Sequence, residues 1–266
     1  MTAPRIPSRR PPVEVLVLGG LGLGLAGLPM LGLLIDVPWS RITSVVQSTI
    51  VTDALRVSAV VSIAAMVVVV VLGTPLAWII SQMQDRARRV VRAIVLLPMV
   101  LPPVVGGTAL LATLGRQSLL GGWLHAAFGI TLPFTTAGAV IAASFVSMPF
   151  FVVTVEAAIR QSDADFAEAA ATLGAGQRRV FSQITLPLIA PAIGAGAALA
   201  WARALGEFGA TITFNGSLGG RTQTLPLATY ESIASGAQDE ALVLSFVLLS
   251  ISLVVLLTLR DRWITR

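Results

Sequence analysis

Apolar runs close to or above bilayer-crossing length alternate with short polar stretches along the whole chain, at residues 13–35, 57–80, 93–114, 135–158, 186–211 and 241–259. A bilayer core about 30 Å thick takes roughly 20 such residues as a helix. Inside lipid each backbone polar group must be satisfied within its own segment. The pattern predicts an all-α integral membrane protein of about six transmembrane helices. A signal peptide is the rival reading of the first run, but the run is too long and has no small-residue cleavage pattern. Residues 1–12 hold Arg5, Arg9, Arg10 and four prolines and read as a tail, which leaves 13–266 as one membrane domain.

Residues 159–185 interrupt this pattern with a different one. Ser162-Asp163-Ala164-Asp165 reads as a capping box with acidic side chains in a positive first turn. Phe166, Ala169, Ala170 and Leu173 then recur at helical spacing. Gly174 can take the left-handed conformation that stops a helix. A second short segment, 177–184, carries Arg178, Arg179 and Phe181 before Pro187 opens the next span. Helix, glycine stop and short helix make a stiff knob suited to a cleft in another protein. The bland alternative is an amphipathic surface helix with no partner.

Composition excludes several classes of function. The chain is 55% hydrophobic and 12% charged, with mean hydropathy +0.87. All 18 basic residues are arginine, so a Gly-rich nucleotide loop ending in Lys-Ser/Thr cannot exist here. With no cysteine and the single His125, a His/Cys metal site is excluded as well. A net charge of +5 could suggest nucleic acid, but the placement of the arginines argues against it. Six spans put both termini, 82–92 and 159–185 on one side. That side holds thirteen arginines against four (Arg41, Arg56, Arg116 and Arg221) on the other. The positive-inside rule makes the richer side cytoplasmic, and the knob falls there.

Two runs inside the membrane carry unusual chemistry. Residues 98–107 hold Pro98, Pro102, Pro103, Gly106 and Gly107, which remove backbone donors and loosen the helix. Such breaks flank transport pathways, or they are packed kinks without a role. Met148-Pro149 is a weaker break. Arg203 and Glu207, four residues apart, are placed to share a helix face as an ion pair. They read either as a structural tie or as part of a pathway, since intramembrane charges face protein or water. Glu156 sits near a membrane edge. No paired-carboxylate or histidine constellation suggests an enzyme, and buried acids suited to an ion-driven carrier are few.

Glu168-Ala169-Ala170, Gly174, Ile184 and Leu186-Pro187 resemble the cytoplasmic loop of permease subunits of ATP-binding-cassette importers, at matching spacing. The runs 203–213 and 219–227 resemble the molybdate and sulfate permeases, and within the likeness 206–210, 222–227 and 101–107 are most similar to the molybdate branch. The likeness covers most of 55–259. It implies the type I ABC importer permease fold, with 159–185 as a coupling loop docked on separate ATPase subunits. It also implies two copies of the chain forming the pathway and an extracytoplasmic oxyanion-binding protein. ATP and Mg would then be bound by the partner ATPase, with no cofactor in this chain. The expected function is import of an oxyanion, molybdate first, with sulfate, thiosulfate or tungstate as alternatives and an ion-driven carrier behind them.

Overall fold

The computed structural model describes residues 12–161, 170, 172 and 174–263. The tail at 1–11 and most of the first knob helix, Glu168 and Ala169 included, lie outside the described residues. Eleven helices are described: α1 Val13–Asp36, α2 Ile42–Val46, α3 Thr49–Gln82, α4 Asp85–Val100, α5 Pro103–Leu114, α6 Leu119–Phe128 and α7 Thr136–Gln161, then α8 Gln177–Leu205, α9 Gly209–Asn215, α10 Leu225–Ala234 and α11 Gln238–Trp263. By length and composition α1, α3, α7, α8 and α11 can each cross a membrane. The bent pair α4–α5 makes a sixth crossing if counted as one span.

The centre is α3, α7 and α8. Water-driven burial gives little between helices in lipid, so close backbone approach through small residues does the packing. Ala65, Ala77, Ala139, Ala143, Ala200 and Ala204 are all buried there. Phe151 of α7 is wedged between two glycines. A Cβ on Gly73 of α3 would stand 2.6 Å from its ring, and one on Gly196 of α8 would stand 3.0 Å away. Val69, Ile80, Val155 and Ile189 fill the space around this wedge. By contrast α1 buries no residue and lies on the outside of the bundle against α11.

Four expectations change. The run 93–114 is not one helix: α4 ends at Val100 and α5 starts at Pro103, bent by 115°. Pro102 and Pro103 together remove two backbone donors and force the preceding residues out of the helical region. The run 186–211 also breaks, ending at Leu205 before α9 begins at Gly209. The second span begins at Thr49 rather than 57, capped by Ser48, whose hydroxyl accepts the Val51 N–H. Finally, Pro187 does not open a span. Gln177–Leu205 is continuous, passing through a π-helical turn at Phe181–Thr185. That wide turn lets the chain pass Pro187, whose ring cannot tolerate an ordinary preceding turn.

Candidate functional site: two half-helices and a cytoplasmic knob

The two broken runs meet. α5 and α9 are short helices that each follow a break, and they pack face to face through glycine. A Cβ on Gly107 would lie 2.6 Å from Thr213 Cβ and 2.7 Å from the Ala210 carbonyl oxygen. A Cβ on Gly209 would lie 2.6 Å from Pro103 Cβ. Gly106 faces the Phe145 ring of α7 at 3.2 Å in the same sense. Of the candidate pathway residues, Gly106 and Gly107 are therefore buried, while Pro102 and Pro103 remain exposed at the turn.

α9 is fastened at both ends. At its start, one Glu207 carboxylate oxygen accepts the Ala210 N–H at 2.8 Å, a capping bond on an otherwise orphaned donor. The other oxygen faces Arg203 Nη1 at 2.7 Å, with Glu207 2% exposed and Arg203 27%. That second contact is an ion pair rather than a directed hydrogen bond. The two side chains do not share a helix face as expected, because Glu207 lies past the end of α8. At its far end, Asn215 accepts the Phe134 N–H at 3.0 Å and donates to the Thr135 carbonyl at 2.7 Å. Asn215 thereby holds the entrance to α7, where Phe134 sits at φ 62°.

The run after α9 is anchored just as firmly. Thr222 accepts the Leu218 N–H and donates to the Gly216 carbonyl, closing the loop on itself. The Leu225 N–H at the head of α10 donates to Ser58 on α3 at 2.7 Å. Ser58 and Asn215 were not singled out from sequence. Ser58 is a small polar residue inside an apolar run and Asn215 follows one, and burial alone makes either meaningful. The lone His125 lies on α6, its ring nitrogens 3.3 Å from Arg116 and from Thr131.

On the knob, Gly174 stands at φ 83° and the Ala175 N–H reaches the Ala170 carbonyl at 3.0 Å. That is the six-to-one bond of a helix closed by a left-handed glycine. Ile184 lies half-buried within the π turn, ahead of Leu186 and the exposed Pro187. Arg178 and Arg179 are exposed. Phe181 stacks on Trp78 of α3 at 4.9 Å, pinning the base of α8 to the bundle.

A family model described as binding-protein-dependent transport system inner membrane component matches residues 70–266. The chain belongs to that family. It is thus a multi-pass membrane component of a transport system. Among relatives of this permease, the molybdenum transport system permease protein ModB of Mycobacterium tuberculosis strain H37Rv is 42% identical over 236 residues, covering 89% of each chain. The sulfate transport system permease protein CysT of Escherichia coli K12 is 31% identical over 226 residues, 85% of this chain and 81% of its own. In fold, the permease matches a chain of a bacterial alginate ABC transporter crystallised with its alginate-bound periplasmic protein. That match has TM-score 0.75 at 19% identity, over 93% of this chain and 92% of the other.

Proposed function

We propose that this permease carries molybdate inward as the membrane subunit of an ATP-driven importer. The likeness to ModB along nearly the whole chain carries this reading, and the lower identity to CysT ranks sulfate second. Two copies form the pathway and an extracytoplasmic binding protein delivers the anion. Separate ATPase subunits bind ATP and Mg and grip the loop at 159–185 through Glu168, Ala169, Ala170, Gly174, Ile184, Leu186 and Pro187. Both termini face the cytoplasm in this reading, which the excess of arginines on that side supports. This chain does no covalent chemistry.

The geometry supports a division of labour within the permease. Movement of the knob enters the bundle through α7 before it and α8 after it, both parts of the tight centre. α8 ends at the Glu207 junction, so its displacement reaches α9 and, through the Gly107–Ala210 contact, α5. The half-helices move as one body because Gly107 and Gly209 leave no room between them for either backbone to shift alone. The experiment is uptake of radiolabelled molybdate into vesicles that hold the permease, its ATPase and its binding protein. ATP-dependent, vanadate-sensitive uptake that excess sulfate fails to suppress is the expected result. Suppression by equimolar sulfate would replace molybdate with sulfate, and uptake driven by an ion gradient without ATP would overturn the importer reading.

A further inference from the structure

Glu156, on the last turns of α7, is 1% exposed. Neither of its carboxylate oxygens has a hydrogen-bond partner. It lies among Val155, Ile159 and the other apolar side chains at that end of the centre. Its one compensating group among the described residues is Arg92 of α4, whose Nε stands 3.6 Å from Glu156 Oε2 and which is 42% exposed. Removing a carboxylate from water costs several kcal/mol, and a contact this long, without a hydrogen bond, returns only part of it. A glutamine of the same shape would meet any purely space-filling need at lower cost.

The location gives the charge a use. Glu156 lies five residues before Gln161, where α7 ends and the chain enters the knob. Arg92 lies eight residues before Val100, where α4 ends and the chain bends by 115° into α5. Val91 and Val95, on either side of Arg92 in α4, pack against the same cluster as Glu156's neighbours. Of the ion pairs among the described residues, Arg41–Asp239 ties a short connecting turn to α11 and Arg88–Asp85 lies within α4. Arg203–Glu207 spans a single helix end. Arg92–Glu156 is the pair that joins two crossings of the membrane.

We propose that Glu156 and Arg92 are positioning residues that tie the knob end of α7 to the broken α4–α5 crossing. Movement of the knob then reaches the half-helices directly as well as through α8. The tie is slack here and tightens in the other state, where an N–H of Arg92 donates to the carboxylate at charge-assisted distance, about 2.7–2.9 Å. This rests on the importer reading, since it needs a knob that moves.

The test uses the permease assembled with its ATPase and binding protein, in variants Glu156→Gln, Arg92→Gln and the exchange Arg92→Glu with Glu156→Arg. Each is also made with Val104→Cys on α5, in a chain that has no cysteine of its own. Glu156→Gln and Arg92→Gln are expected to accumulate and hydrolyse ATP as the parent does. Molybdate moved per ATP should fall by about tenfold, within the range of ordinary coupling between sites. Labelling at position 104 should no longer respond to ATP with vanadate, and the exchange should recover part of both. Unchanged transport per ATP and an intact labelling response in Glu156→Gln would overturn the tie, as would a parent whose labelling ignores nucleotide. The labelling response needs no molybdate. A parent that responds to nucleotide yet moves no molybdate would therefore sink the substrate reading and leave the tie measured.

Discussion

The α3–α7–α8 centre and the α5–α9 pair both bring backbones together at glycine, but they set that glycine against different things. In the centre, Gly73 and Gly196 receive the Phe151 ring, a side chain on a bond that can rotate. In the half-helix pair, Gly107 receives Thr213 Cβ and the Ala210 carbonyl, and the carbonyl is backbone and cannot step aside. The centre is built of three long helices that stay continuous past Pro75, Pro149 and Pro191. The pair is built of short helices that follow breaks: Glu207 caps the start of α9, and Asn215 at its far end ties it to the entrance of α7. The centre can adjust at a side chain, whereas the half-helix pair is fixed by backbone contact and a directed capping bond.

The largest expected effect falls on the pair. Glu207→Ala leaves Arg203 unpaired and the Ala210 N–H uncapped, a loss of about 3 kcal/mol given the partial exposure of Arg203. Folded permease in the membrane should drop sharply by detergent-stable yield. Glu207→Gln, which keeps the capping oxygen, should retain much of it. If both variants accumulate equally, the cap contributes nothing and the comparison weakens.

Next comes the difference between the two kinds of glycine. Gly73→Ala and Gly107→Ala each overpack their sites by about 1–3 kcal/mol. Adding Phe151→Leu should rescue thermal stability in Gly73→Ala, because the offending atom belongs to that side chain. The matching change beside Gly107, Thr213→Gly, removes the Cβ that stands 2.6 Å away but should rescue poorly, because the Ala210 carbonyl stays in place at 2.7 Å. Equal rescue at both sites would erase the distinction.

A smaller structural effect with a large functional one is expected at Gly174. Its φ of 83° strains any side chain, by roughly 1 kcal/mol or more, yet no atom of the described residues lies within 4 Å of a Cβ there. Gly174→Asp should insert normally while losing ATPase association and uptake, read by co-purification and transport. Normal association would remove the knob from the mechanism. The smallest effect is expected at Arg41, whose pair with Asp239 is exposed on both sides at 65% and 51%. Arg41→Ala should cost at most about 1 kcal/mol. A greater loss of stability would show that connecting turns, and not only the two glycine regions, hold the bundle.

Hydropathy made the spans legible because lipid imposes length and composition directly. Breaks were legible only where proline enforced them. Pro102 and Pro103 announced the α4–α5 bend, while the end of α8 at Leu205 carried no such sign. There Arg203 and Glu207 at helical spacing suggested continuity, and the glycines at 206 and 209 stood out only as part of a run resembling a permease family. The apolar 119–128 run was too short to read as a crossing and became α6 inside a glycine-rich connection. Pro187 misled in the opposite direction, since a π turn absorbed it. The buried charge of Glu156 was invisible for a different reason: its meaning depends on α4 lying beside α7, which no local pattern encodes.

That π turn has a mechanical consequence. Had Pro187 begun a new helix, the arginine-bearing segment at 177–180 would be hinged to the membrane span and would swing without turning it. Because Gln177–Leu205 is continuous, the importer proposed above would use it as one lever roughly 40 Å long, with the Phe181–Trp78 contact as its pivot. Its short arm lies at the knob and its long arm ends at Leu205, so in that mechanism a small push outside would become a larger sweep inside. The widened turn lies at the fulcrum, where a lever is thickest.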